Sequence, residues 1–243
     1  ILHGFSELWH NRIKIIKERQ VIMQLPGLIT VQPEQTDVIE QVAHMMGKSF
    51  MEELWTEVWL ESLDQLGADE DRKLEISRAI MKYDFTLGAP YQCCYMLPDM
   101  AAATGAYLSS DLKGQIWSDI EDKATTLMTE AILTDDEKAA MMKRANEMEA
   151  ISDFSWMIDH AQGSDFIHFF SIGVNSEMRG SGAFRKLITP FFEYADQHGI
   201  NCYLECFSDR LEGLYGHFGF ETVHRLSDPA FDIVERTMVR TPR

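Results

Sequence analysis

Arg179-Gly180-Ser181-Gly182 is the stretch of this chain whose residue types are best suited to holding a ligand. It follows an apolar run that ends at Val174 and a polar turn, and it opens a segment with helical spacing. A loop at the start of a helix leaves backbone N–H groups unpaired, and these groups together with the helix dipole favour a bound anion. Gly180 and Gly182 remove the Cβ atoms that would keep a phosphate away, and both tolerate positive φ. Taken alone, the same pattern also describes an ordinary tight strand-to-helix turn. Two titratable side chains flank it. His168 lies six residues before Val174 in the apolar run, and an imidazole with an ordinary pKa of about 6.5 can take up a proton near neutrality. Tyr215 carries a phenol of pKa about 10, which can return a proton to a departing group of similar basicity. Each of the two also reads as a core side chain with a satisfied polar atom. His160 and His217 read as structural.

Composition narrows the field. The chain has 243 residues, 45% hydrophobic and 25% charged, as in ordinary globular proteins. Its formal net charge of −17 at pH 7 argues against nucleic acid, which needs clustered Lys and Arg. That charge suits cationic or amine ligands, and it also serves solubility alone. No apolar run approaches the ~18–20 residues of a membrane span. The chain begins with Ile rather than Met, which leaves room for a trimmed targeting segment, and the visible N-terminus has no signal-peptide core. Cys93, Cys94, Cys202 and Cys206 form no C-x-x-C pair or familiar metal spacing, so they read as buried free thiols of a reducing cytoplasm, and no metal is expected.

The elements that must position these residues follow from periodicity. Phe5 to Gln24 has amphipathic helical spacing and ends at Pro26-Gly27. This helix, residues 1–27, either packs on the domain of residues 28–243 or contacts another subunit, so a homodimer is one reading. Leu28 to Val31 is a first strand. Thr36-Asp37 offers an N-cap for a helix through Val38, Ile39, Val42 and Met46, and a further helix carries Trp55 and Trp59. Asp69 to Tyr83 is another helix, and Tyr91 to Leu97 and Ala101 to Leu108 are strands about a Pro98-Asp99 turn. Residues 111–150 read as a two-helix insertion, the second helix opened by a capping box at Thr134 and Glu137. The insertion reads equally as a lid or as a subunit contact. Phe166 to Val174 is the fourth strand, on which His168 shares parity with Phe170 and Ile172. The helix after the loop contains Pro190, which should kink it, and ends at Gly199. Asn201 to Phe207 is a strand, Asp209 to Phe218 a short helix, and Phe220 to Arg225 and Ile233 to Val239 the last strands.

The ordered set Val174, Arg179-Gly180-Ser181-Gly182, helix, strand with Leu204-Glu205-Cys206, then Leu214-Tyr215 and Gly219-Phe220 resembles the GCN5-related N-acetyltransferase family. The motif-bearing resemblance covers Phe166 to Phe220 and extends more weakly from Leu28 to about Val239. Phe184 departs from the pattern where Gly or Ala is usual. The resemblance implies an α/β fold of the acyl-CoA N-acyltransferase type, with a central mixed, mostly antiparallel sheet flanked by helices, here with an N-terminal helix and the two-helix insertion. It implies acetyl-CoA as co-substrate and a primary amine of a small molecule as acceptor. The alternatives are a non-catalytic acyl-CoA sensor module and an enzyme acting on a protein N-terminus or lysine. By resemblance, the fourth strand is splayed at a bulge, and Ile172 and Val174 present free backbone groups to the acyl carbonyl and pantetheine. Met178, Arg179, Gly180, Ser181, Gly182, Ala183 and Phe184 would hold the pyrophosphate. Ser208, where Asn is frequent, would meet the pantetheine in part. Tyr215 would be the acid for the thiolate, His168 the base for the amine, and Trp55 and Trp59 candidates for the acceptor wall.

Overall fold

The computed structural model describes residues 23–153 and 155–243. The expected N-terminal helix therefore lies almost wholly outside the described residues. Met23 and Gln24, at its end, have no regular structure, and Met23 and Leu25 are buried in the core.

Seven strands form one sheet in the order β1-β2-β3-β4-β5-β7-β6. They are β1 (Ile29–Thr30), β2 (Cys94–Met96), β3 (Ala102–Leu108), β4 (Phe166–Val174), β5 (Asn201–Cys206), β6 (Glu221–Ser227) and β7 (Val234–Arg240). Every pairing is antiparallel except β4 with β5. A parallel pair needs a crossover, and α7 (Ala183–His198) supplies it. The other helices are α1 (Thr36–Phe50), α2 (Leu54–Leu60), α3 (Glu70–Gly88), α4 (Trp117–Ile132), α5 (Asp135–Glu147), α6 (Trp156–Ala161) and α8 (Asp209–His217).

The two sheet faces are covered by different helices. On one face Ile167, Phe169, Cys202, Leu204 and Cys206 pack against Ile188, Phe191 and Ala195 of α7 and Tyr215 of α8. On the other, Tyr107, Phe166 and Tyr203 pack beneath Trp117 and Ile120 of α4 and Trp156 of α6. Alongside them α1 and α3 bury Met46, Met81 and Phe85 over Cys94 and Ala103. The insertion is thus a packed layer of the fold. A further short helix that periodicity does not indicate, α6, follows residues 111–150 before β4, because six residues are too few to show a repeat. The second helix of the insertion, α5, joins α2 in a further cluster that includes Trp59, Met141 and Ile233.

Local details agree with the sequence at most boundaries. Thr134 and Glu137 form the expected capping box of α5. Gly199 ends α7 at φ 68°, and the helix runs through Pro190 without interruption. The expected cap at Thr36-Asp37 is displaced by one position: Gln35 is the N-cap and makes no side-chain cap bond, its Oε1 instead accepting from the Gln32 N–H at 2.8 Å.

Candidate active site

The central strands part several residues before the glycine loop. β4 and β5 pair from Phe166↔Asn201 to Phe169↔Leu204 and no further, although β4 continues to Val174 and β5 to Cys206. The departure coincides with a bulge, since Gly105 of β3 faces Ser171 and Ala106 faces Phe169, leaving Phe170 as the extra residue. A bulge bends its strand and removes a ladder partner. Gly105 makes room for it, because a Cβ there would strike the Phe170 ring. Phe170 in turn stacks on Trp117 with centroids 3.8 Å apart. The bulge also corrects the expected parity. Beyond it Ile172 joins the core on the α7 face, whereas His168 lies among Tyr107 and Trp156 on the opposite one.

At the end of β4 the chain turns through a short 3₁₀ segment, Ser176–Met178, into the glycine loop. Gly180 and Gly182 adopt φ 80° and 85°, and a Cβ at either would meet nothing within 4 Å. Gly182 is the N-cap of α7 and makes no side-chain cap bond. The helix therefore begins with free N–H groups facing an open, Cβ-free cradle. The Ser181 hydroxyl donates to the Met178 carbonyl at 2.6 Å, and Arg179 pairs with Glu52 at 2.6 Å. Phe184 sends its ring into the seam between α7 and α8, where centroids lie 5.0 Å from Phe218 and 5.9 Å from Tyr215. The pyrophosphate of a coenzyme A donor fits such a cradle, which the loop backbone from Met178 to Ala183 would line.

Tyr215 approaches the gap from the α7 face. It is 6% exposed, and burial, followed by neighbouring Cys206 and Glu53, holds its phenol well above the ordinary range. A phenol in that condition keeps its proton until a strong base appears. Ser208 is the N-cap of α8, its Oγ accepting from the Leu211 N–H at 3.3 Å, so the hydroxyl proton remains available to donate. Cys202 and Cys206 are buried and pushed up by burial to about 12, which makes them poor nucleophiles.

His168 approaches from the other face. It is 3% exposed, and its Nε2 lies 2.9 and 3.1 Å from the two Glu205 carboxylate oxygens. Trp156 Nε1 donates to Glu205 Oε1, so the carboxylate is fixed from two sides. In the neutral ring with its hydrogen on Nε2 toward Glu205, Nδ1, which is buried and has no partner, is an acceptor. Sequence reasoning weighed His168 between a base and a core histidine bonded to the backbone; its partner is instead a buried carboxylate. Glu205 was legible as an acid within an apolar strand, a residue type seldom fully buried unless paired.

Further carboxyls surround this pair. Glu121 of α4 is half-buried and raised to about 7 by desolvation, with His168 and Glu205 both close enough to act on it. Asp84 of α3 is buried and pushed up by burial and by Glu121. Glu235 of β7, 0% exposed, is raised to about 8 by burial and by Glu205. Trp59 packs as core, its Nε1 donating to the Met141 carbonyl at 3.0 Å, and the Trp55 ring lies tilted against it with centroids 5.1 Å apart. An open groove of about 620 Å³ lies elsewhere, along the outer side of α7 between Arg185, Lys186, Glu193 and the Pro98-Asp99 turn.

The overall fold is similar to that of known structures. A Corynebacterium glutamicum protein described as histone acetyltransferase HPA2 and related acetyltransferase superposes with a TM-score of 0.52 at 13% identity, over 90% of this chain and 98% of its own. The arylalkylamine N-acetyltransferase 2 of Aedes aegypti gives 0.50 at 16% identity, over 89% of this chain and 98% of its own. The chain has the fold of the GCN5-related N-acetyltransferases. The family resemblance is present in sequence as well: a Schizosaccharomyces pombe protein named as an uncharacterized N-acetyltransferase is 34% identical over 77 residues, 32% of this chain. That match spans 27% of the yeast protein's length. No protein-family model matches the chain. Among the described residues no helix is long and apolar enough to cross a membrane, and no cluster of three or more His, Cys, Asp or Glu could hold a metal ion.

Proposed function

We propose that this chain transfers an acetyl group from acetyl-CoA to the primary amine of a small molecule, within one ternary complex. The observation that carries this reading is the gap between β4 and β5, which has the glycine loop at its end and Tyr215 and His168 on its two sides. The donor brings an activated thioester, and the remaining chemistry falls to the chain. The edge of β4 beyond Phe169, including Ile172 and Val174, offers main-chain groups to the pantetheine amides and the acyl carbonyl. His168, aligned by Glu205, takes the proton of the attacking amine directly or through a water. The amine nitrogen bonds to the acyl carbon, the carbon–sulfur bond breaks, and Tyr215 donates its proton to the leaving thiolate. Burial keeps the phenol protonated at neutral pH, so its proton is in place when the thiolate departs, although the raised pKa makes the transfer less favourable than from a phenol of ordinary pKa. The buried, weakly acidic thiols of Cys202 and Cys206 argue against an acetyl-cysteine intermediate.

The test is acetyl-CoA turnover against a panel of monoamines, diamines, amino acids and aminoglycosides, following free thiol and acetylated product together. Saturable product formation with at least one amine is expected. Acetyl-CoA binding without transfer to any amine or to peptide termini and lysines would refute the catalytic reading and leave a donor-binding sensor.

A further inference from the structure

The seam between α3 and α4 carries two acids that the transfer reaction itself does not use. The helices meet closely at Gly88, where a Cβ would lie 3.3 Å from Trp117. One turn from that contact along each helix stand Asp84 and Glu121, and Glu121 acts electrostatically on Asp84. Below them Trp117 stacks on Phe170, and His168 is two residues before Phe170 on the same sheet face. Asp84, Glu121 and the His168–Glu205 pair therefore form one continuous patch.

Among the described residues no Lys or Arg pairs with Asp84, Glu121 or Glu205. Two other acids of the chain, Glu137 and Asp196, are held by Arg72 and Arg240 respectively. Desolvated acids close together are unfavourable unless they share protons or meet a cation. Glu121 keeps partial solvent access, whereas Asp84 and His168 are buried. A second and independent sign comes from the histidine. With Nε2 committed to Glu205, the buried Nδ1 is an acceptor without a donor. A ligand that satisfies both the acids and this nitrogen must carry more than one N–H-bearing group.

We propose that Asp84 and Glu121 bind the second ammonium of a diamine or polyamine acceptor whose reacting nitrogen lies at His168 Nδ1. This rests on the acetyl-transfer reading and adds the acceptor class to it. The monoammonium ligand of equal length leaves the two acids uncompensated, so the patch selects for the second charge.

The experiment compares 1,4-diaminobutane with n-butylamine in the wild-type chain, Glu121→Gln, Asp84→Asn and the control Asp122→Asn, which alters the exposed neighbour of Glu121. The kcat/KM ratio of diamine to monoamine should exceed one by about 10- to 100-fold in the wild type, the range expected for one hydrogen-bonded charge contact. It should fall by about tenfold or more in Glu121→Gln and Asp84→Asn and stay at the wild-type value in Asp122→Asn. Direct binding of 1,4-diaminobutane, read calorimetrically with desulfo-CoA present, should weaken in parallel. Equal ratios in all four proteins, or a ratio near one in the wild type, would overturn the proposal while leaving acetyl transfer intact. Diamine binding that depends on Glu121 without any transfer would support the site and refute the acetyl-transfer reading.

Discussion

Glu137 ties the two insertion helices to α3, and Glu137→Gln tests how much that tie contributes. Its carboxylate accepts from Arg72 Nε and Nη2, both at 2.8 Å, and from the Thr134 N–H at 2.8 Å. The same guanidinium reaches the Ile132 carbonyl at 2.6 Å, so one ion pair joins α3, the end of α4 and the cap of α5. The Arg72 bond, aided by Thr134, lowers the Glu137 pKa from an ordinary 4.5 to about 2. At about 1.4 kcal/mol per pH unit this corresponds to about 3 kcal/mol. Glutamine retains the capping-box geometry and a neutral bond to Arg72. The pair also keeps some solvent contact, with side chains 24% and 11% exposed. An expected loss of about 2 kcal/mol at pH 7 follows. The sign of the pH dependence is set by the lowered pKa. The stabilisation is complete above the unfolded value near 4.5 and is lost as pH falls through the folded value near 2. Urea unfolding of both proteins at pH 7, 5 and 3.5 should therefore give nearly equal gaps at pH 7 and 5, and a gap smaller by about two thirds at pH 3.5. A gap below about 0.5 kcal/mol, or one that does not change with pH, would refute the reasoning.

Three further outcomes follow from the site. Tyr215→Phe deletes the proton and keeps the ring packed against Phe184 and Phe220; kcat should fall about 10²-fold with acetyl-CoA affinity nearly unchanged, as steady-state kinetics and calorimetry will show. Gly182→Asp puts a carboxylate into the open cradle; acetyl-CoA at a hundredfold excess over Kd should stabilise the wild type by about 2.7 kcal/mol, and the thermal shift should vanish in the variant. Glu235, raised to about 8, favours the fold below the unfolded pKa near 4.5 and loses that contribution as pH rises through 8. Glu235→Gln should therefore gain stability over the wild type progressively between pH 6 and 9, by about 2–4 kcal/mol at full ionisation, and melting curves that stay parallel over that range would rule this out.

The side of the site proposed to hold the donor was legible because its features are features of the backbone. A glycine loop, the cap of α7 and the end of β4 are local features, and local features leave marks at fixed spacing. The acceptor side was harder to read. His168 was visible as a titratable residue on a strand, but its partner Glu205 sits on the neighbouring strand and is fastened by Trp156 from beyond the insertion. Such contacts join residues far apart in sequence, and periodicity does not report them. Asp84 and Glu121 each stand on the apolar stripe of a helix, one turn from Gly88 and Trp117 respectively. An acid on such a stripe signals a partner or a ligand, though not which one. The bulge at Phe170 defeated the parity argument because one extra residue sends everything after it to the other face.

The long excursion between β3 and β4 has a consequence for how the chain reaches its native state. Adjacent central strands that could be joined by a tight hairpin are separated by residues 109–165. A connection roughly ten times longer than a tight turn costs about 2 kcal/mol more in closure entropy, and the central seam cannot zip locally. The root of the excursion is stitched shut by Ser109, whose hydroxyl donates to Asp165 at 2.9 Å and accepts from the Phe166 N–H at 3.1 Å. Replacing residues 110–164 by a short turn should therefore preserve the β3–β4 register and hasten folding. The product would keep the glycine loop and Tyr215, and lose Glu121, Trp117 and Trp156 together, which separates the half proposed to grip the donor from residues proposed to choose what receives it.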